Sequence, residues 1–244
     1  MGTTLDPIEV ISAAQQIAIK PPSSSCTGGA HAARLTTFSN RMKVARLLLA
    51  ALSAGLTVGL SSCATMSHTQ NSFSFDPPVL KPKSPSAVKL KLSTGAQRLY
   101  VVEGDTVLLA TPVSVGTASA PTPHGNFTIY LKVANRRRQS SPGAGYPMTY
   151  WMEFKSAYGL HWGFVKATPS THGCVRMPID AARKTFQLVR VGTPINIASS
   201  QPWDATIGRT LPVLDDSNLQ DPPMSYMLSS RVFADASRGN VWKY

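Results

Sequence analysis

Residues 87–115, AVKLKLSTGAQRLYVVEGDTVLLATPVSV, decide the fold. Ala87 to Ser93, Gln97 to Glu103 and Thr106 to Val115 alternate or run apolar with β-branched residues, and the breaks fall at Ser93-Thr94-Gly95 and Gly104-Asp105. Period-two alternation puts successive side chains on opposite faces, and Gly and Asp supply the turns, so the stretch reads strand, turn, strand, turn, strand. Asn126 to Val133 and Met148 to Phe154 continue in the same style, and Thr193 to Ala198 reads as a final strand. One helix is expected to interrupt them. Pro178-Ile179-Asp180 opens it with an acid near the start, Arg190 stands near its end and Gly192 just past it. Residues 87–198 are therefore expected to form a mainly β domain with one short helix.

The chain of 244 residues has room for that domain plus extensions. Residues 42–63, MKVARLLLAALSAGLTVGLSSC, carry two early cations, Lys43 and Arg46, then an uncharged apolar stretch from Leu47 to Leu60. This is the build of a signal peptide, too short in its apolar part for a bilayer-spanning helix. Leu60-Ser61-Ser62-Cys63 resembles the bacterial lipobox, which implies a Cys63 acylated on sulfur as the mature N-terminus and a membrane anchor in the cell envelope, facing the periplasm. Ala64, where inner-membrane retention would favour Asp, makes the outer membrane the expected site. Translation is then expected to start at Met42, with residues 1–41, Cys26 among them, as a disordered upstream over-extension. Residues 64–86, with Pro77, Pro78, Pro82 and Pro85, read as a tether, and residues 199–244 as a tail that wraps the domain. Three cysteines exclude a disulfide scaffold.

The net charge is +12, and residues 74–198 alone carry +10 of it. Lysines stand singly between apolar residues, as in Lys89-Leu90-Lys91-Leu92, the pattern of a strand with one solvated face. The run Arg136-Arg137-Arg138 reads as a loop tip. No aromatic residues interleave with it to stack bases, so nucleic acid is not an expected partner.

Chemistry concentrates in residues 158–178, YGLHWGFVKATPSTHGCVRMP. Cys174 follows His172 and Gly173, and His161 lies upstream. A thiol attacks as thiolate, and a nearby imidazole and cation lower its pKa; the segment offers both. A tight turn from Ser170 and Thr171 to Cys174, with Gly173 inside it, would aim the Cys174 amide at a developing oxyanion. His124, in a Thr-Pro-His-Gly turn, reads as a loop residue.

Thr171-His172-Gly173-Cys174-Val175-Arg176 resembles the signature of the L,D-transpeptidase catalytic domain (YkuD-like). Residues 116–127, GTASAPTPHGNF, are similar to that family's Gly and Thr-Pro-x-Gly-x-Phe stretch, and Gly159-Leu160-His161 to its histidine-bearing strand. The resemblance spans roughly residues 87–198. It implies a β sandwich or barrel with a short helix after the nucleophile. It also implies Cys174 as nucleophile, His161 as base, His172 and Gly173 as pocket and oxyanion wall, and Arg176 facing the substrate's anionic groups or supporting the loop. Trp162, also assigned to the pocket, follows the histidine where many members carry a small residue, which leaves the hydrogen-bond partner of His161 open. The short gap between the histidine-bearing segments implies a small lid.

The activity so implied is acyl transfer on a peptidoglycan stem tetrapeptide through a thioester, with an amine acceptor: a second stem, a lipoprotein lysine or a free D-amino acid, giving 3-3 cross-links, lipoprotein attachment or exchange. No cofactor and no metal are implied, and a monomer is expected. Rival readings are a hydrolase of the same fold (an L,D-carboxypeptidase or amidase), a non-catalytic cell-wall-binding lipoprotein, and a zinc site of His161, His172 and Cys174.

Overall fold

The structure is a computed structural model, and it describes residues 69–141 and 143–241. The upstream stretch, signal peptide and lipobox expected before residue 64 lie outside the described residues. Strands β1 (Val88–Ser93), β2 (Arg98–Glu103) and β3 (Thr106–Pro112) form an antiparallel meander, as the alternation and turns require. In β1 the pattern works as read: Leu90 and Leu92 are fully buried while Lys89 is exposed.

The Asn126 to Val133 segment is two strands, not one: β4 (Gly125–Thr128) and β5 (Leu131–Arg137). Between them the chain changes sheets. The Ile129 N–H donates to Thr193 O, just before β9 of the first sheet, and the Tyr130 N–H to Glu153 O of the second. With β6 (Pro147–Lys155), β7 (Tyr158–Trp162), β8 (Val175–Met177) and β9 (Pro194–Ala198), this gives sheets of order β3-β2-β1-β9-β4 and β5-β6-β7-β8. Both are mixed, because β1 pairs β9 and β7 pairs β8 in parallel. Helix α1 (Ile179–Leu188) carries the chain from β8 of the second sheet to β9 of the first. The helix covers β6 and β7 with Ile179, Ala181 and Ala182 buried. The fold is mainly β, as expected, with the short helix directly after the cysteine-bearing loop.

The flanks depart from the sequence reading. From Gln70 onward, the segment read as tether is hydrogen-bonded to the body: Gln70 N–H to Val213 O (3.1 Å), Ser72 to Asp216, and Leu80 N–H to Leu108 O (2.8 Å). Lys184 also pairs with Asp76. Proline density signalled a segment without a core of its own, but it left open whether a neighbour satisfies the backbone. The C-terminal segment likewise belongs to the fold. It forms α2 (Ile207–Thr210), α3 (Met224–Leu228) and α4 (Arg231–Ser237), and Met227, Val232, Ala236 and Val241 join the main core.

Candidate active site

Strands β7 and β8 lie side by side with His161 opposite Arg176, so the cysteine-bearing loop that enters β8 is delivered beside the histidine. Four sets of hydrogen bonds fix that loop. Residues 114 and 176 exchange backbone hydrogen bonds at 3.0 Å, and the Ser170 and Thr171 N–H groups both donate to Val115 O at 3.0 Å. The Thr171 hydroxyl donates to Cys174 O (2.6 Å) and accepts the Gly173 N–H (3.1 Å). Thr122, from the stretch similar to the family's Thr-Pro-x-Gly-x-Phe, donates to Gly173 O (3.0 Å) and accepts the Gly116 N–H (2.9 Å). Gly173 adopts φ +104°, and a Cβ there would stand 2.4 Å from Tyr158 Cε1, so only glycine fits.

Cys174 and His161 open into one cavity of about 360 Å³, together with Thr171, His172 and Arg176. His161 is buried, and its Nδ1 lies 2.5 Å from the carbonyl oxygen of Trp162. A carbonyl only accepts, so Nδ1 carries the proton and Nε2 holds the lone pair. The partner left open by the sequence is therefore the backbone of the next residue. The Trp151 ring, 5.7 Å from the imidazole by centroids, braces its orientation. Trp162 itself does not line the cavity. Strand alternation turns its side chain into the main core, and the residue serves the site through its carbonyl.

The resting electrostatics differ from the sequence expectation of a lowered thiol pKa. Burial pushes the Cys174 thiol up; the Gly159 N–H, Arg176 and Arg138 pull the other way without prevailing. The thiol donates weakly to Ala157 O at 3.6 Å. Burial, with Arg176 adding to it, pushes His161 down to about 3. The unliganded pair is thus thiol and neutral imidazole. Gly173 also differs from its assigned part: its N–H is taken by Thr171, so it shapes the turn instead of offering a free donor.

Two further corrections concern the roof. The short gap after His161 suggested a small lid, but the cavity's roof is built upstream, from the β5–β6 hairpin. The arginine run read as a solvated loop tip spans the end of β5, with Arg138 just past it, and all three members line the cavity. Arg136 pairs with Glu153 at 2.8 Å and lies over the Trp151 ring. Burial opposes ionisation of Glu153, yet hydrogen bonds from Trp151, Tyr130 and Ala157, with the charge of Arg136, hold its carboxyl below the usual range. Arg137 donates to Gly145 O, Met227 O and Ser229 O, tying the roof to α3. Tyr146 and Trp151 also line the cavity, and no sequence signal marked either. His124 stays on an outer loop, bonded to Thr94. Among the described residues no three His, Cys, Asp or Glu side chains stand where they could hold a metal ion, so His161, His172 and Cys174 do not converge as a ligand set.

The chain is similar to known proteins at the level of the domain. Residues 88–197 match the family model described as the L,D-transpeptidase catalytic domain, YkuD. A search of curated proteins finds no match. Similar solved structures include an L,D-transpeptidase from Stackebrandtia nassauensis, 22% identical over 51% of this chain and 60% of that one, TM-score 0.43. Another is an L,D-transpeptidase from Mycobacterium tuberculosis H37Rv, 20% identical over 46% and 57%, TM-score 0.42. A third is Mycobacterium tuberculosis L,D-transpeptidase 1, 27% identical over 46% and 61%, TM-score 0.40. The match spans less than two thirds of the length of each of these three structures.

Proposed function

We propose, from the match of residues 88–197 to the YkuD L,D-transpeptidase catalytic-domain model, that the protein transfers an acyl group from a peptidoglycan stem tetrapeptide to an amine through a thioester on Cys174. The observation that carries this reading is the fixed tautomer of His161. With Nδ1–H held by Trp162 O, the Nε2 lone pair is left as the base in the cavity that Cys174 shares.

Nε2 takes the thiol proton as Sγ bonds to the carbonyl carbon of the third stem residue. The oxyanion that forms is met by the Cys174 N–H and by the nearby charge of Arg176. Collapse breaks the bond to the terminal D-alanine, whose amine receives the proton from Nε2, and leaves the thioester. The acceptor amine then gives its proton to Nε2, attacks the thioester and releases Sγ, which regains the proton. The Thr171 hydroxyl and the Thr122 side chain hold the loop still throughout, which is the preorganisation such a step needs.

Incubating the purified protein with a disaccharide tetrapeptide is expected to add the donor mass less D-alanine to the Cys174 peptide. The same adduct on a Cys174→Ala variant would overturn the assignment. Attachment to the membrane through Cys63 belongs to the same proposal: expression from Met42 is expected to give a lipidated mature N-terminus at Cys63, and a Cys63→Ser variant that fractionates like the parent would refute it.

A further inference from the structure

Glu153 gathers four donors onto one carboxylate. Oε2 accepts the Trp151 indole N–H (2.9 Å) and the Arg136 guanidinium (2.8 Å), and Oε1 accepts the Tyr130 hydroxyl (2.8 Å) and the Ala157 N–H (3.1 Å). The side chain is buried behind the residues that line the catalytic cavity. Two of its four donors stand beside the chemistry. The Trp151 ring packs against His161, with centroids 5.7 Å apart, and Ala157 O accepts the Cys174 thiol at 3.6 Å.

Backbone strain accompanies this arrangement. Met148 and Trp151 both line the cavity although they stand three residues apart on β6, where regular alternation would put them on opposite faces. The reversal coincides with Tyr150, which holds φ +57° inside the strand, a left-handed conformation that is costly for a residue other than glycine. Its ring packs on Phe186 of α1, 5.5 Å by centroids, and its hydroxyl donates to Ala236 O (3.2 Å), so the packing around it holds the strained backbone in place. Beyond Tyr150, Met152 and Phe154 enter the main core, which leaves Trp151 and Glu153 on the side of the site. Ala157, in the turn between β6 and β7, also has a positive φ, +65°, and its N–H is the one that Glu153 holds. At Gly159 a Cβ would stand 2.7 Å from the Trp151 ring, so the ring's seat depends on glycine there.

We propose that Glu153 is a positioning residue for the reacting pair, fixing His161 through the Trp151 indole and Cys174 through the backbone of Ala157. The inference rests on the acyl-transfer reading and adds to it the group that keeps thiol and imidazole in one frame. Trp151 has a single N–H, and the bond to Glu153 sets how its ring lies against the imidazole. The Ala157 N–H, held by the same carboxylate, keeps the turn from swinging its carbonyl away from Sγ. Arg136 ties this carboxylate to the hairpin that roofs the cavity, so roof, base and thiol share one anchor.

The test follows acylation of Cys174 by a carbapenem, as a function of its concentration, in the parent, Glu153→Gln, Trp151→Phe and the double variant, with a thermal melt of each. Glutamine keeps the size and one acceptor oxygen but loses the charge and the second acceptor; phenylalanine keeps a ring beside His161 without an N–H. Glu153→Gln is expected to lower the limiting rate by at least about ten-fold, where a misplacement near 1 Å costs about a hundred-fold, and to leave the half-saturating concentration within about two-fold. Trp151→Phe is expected to show part of the same loss, and the double variant no more than Glu153→Gln alone, because both substitutions cut one chain of contacts. A carboxylate that serves stability alone would lower the melting midpoint and keep the limiting rate of the folded protein. That result overturns the inference, as does a loss confined to the half-saturating concentration, or single losses that multiply in the double variant. If Glu153→Gln gives no cooperative melt, Trp151→Phe decides: a limiting rate equal to the parent's overturns the inference and a lowered one sustains it. A parent acylated by the carbapenem but not by the tetrapeptide overturns the acyl-transfer reading alone, since the variants are compared on the carbapenem, and a parent that reacts with neither overturns both.

Discussion

The Nδ1–H of His161 donates to the carbonyl oxygen of its own neighbour, Trp162, over 2.5 Å, so the imidazole is oriented by the backbone of the strand that carries it. Among the described residues no carboxylate is hydrogen-bonded to the imidazole, and burial with Arg176 holds its pKa down to about 3. Acylation of Cys174 is therefore expected to keep its rate as the pH falls from 7 to 5, because the imidazole stays unprotonated. A histidine of ordinary pKa, about 6.5, would lose more than about ten-fold over that range. Stopped-flow acylation by a β-lactam across that interval distinguishes the two, and an acid limb centred near 6.5 would refute the neutral resting pair.

The Thr171 hydroxyl has one proton and spends it on Cys174 O while accepting the Gly173 N–H, which closes the turn from both sides. Thr171→Val keeps the shape and removes both bonds, leaving a buried donor and acceptor without partners. A loss of about 1–3 kcal/mol in unfolding free energy is expected, with slower acylation, and Thr171→Ser is expected to restore both. Denaturant titration of the three proteins checks it; a valine variant equal to the parent would remove Thr171 from the loop's support.

Gly173 is constrained twice, by φ +104° and by Tyr158 2.4 Å from where a Cβ would stand. Gly173→Ala is expected to displace the loop and cut acylation by at least about a hundred-fold, the scale of a misplacement near 1 Å. Adding Tyr158→Ala removes the clash but not the backbone strain, about 1–3 kcal/mol, so rescue is expected to be partial. Full rescue by the second substitution would show that sterics alone fix the glycine.

The apolar runs and turns in residues 87–115 made β1, β2 and β3 legible, because the three strands form a meander whose pairing partners are close in sequence, although β2 and β3 are buried on both faces and do not alternate. That Cys174 and His161 line one cavity was legible because their residue types are rare and their spacing is local. The β4–β5 break was not, since the change of sheet at Ile129 and Tyr130 depends on Thr193 and Glu153, partners remote in the chain. The Arg136-Arg137-Arg138 run misled for a related reason. A charge reads as solvated until its partners are known, and the partners here are Glu153 and Trp151 for Arg136, and carbonyls of Met227 and Ser229 for Arg137. Trp162 was placed in the pocket by adjacency to His161, whereas alternation turns it into the core.

Arg137 joins the roof to the C-terminal segment through three carbonyls and a face-on contact with Phe233 at 4.5 Å. Arg137→Ala is expected to lower stability by about 2–5 kcal/mol, since several carbonyls lose a charged donor. A chain ending at residue 198 is expected not to fold, because Met227, Val232, Ala236 and Val241 fill the main core. Circular dichroism melting of both proteins is the check, and a cooperative melt for the truncated chain near the parent's midpoint would contradict the place of the C-terminal helices in the core.

Burial of His161 also sets a pH dependence of stability, and its sign follows from the depressed pKa. The folded state holds the imidazole neutral down to about pH 3, whereas the unfolded chain protonates it near 6.5. Between those values the unfolded state binds the extra proton, so unfolding becomes more favourable as the pH falls, by up to about 1.4 kcal/mol per pH unit from this residue alone. Above 6.5 both states are neutral and the contribution is flat. Glu153, held below the usual carboxylate range, loses its contribution only at lower pH, so the window from 6 to 5 isolates the histidine. His161→Gln, which cannot take up a proton there, is expected to flatten the decline across that window relative to the parent. Urea titrations at pH 7, 6 and 5 on both proteins measure it. Parallel declines in parent and variant would show that His161 is not the group that titrates, and would return its imidazole to an ordinary, solvated pKa.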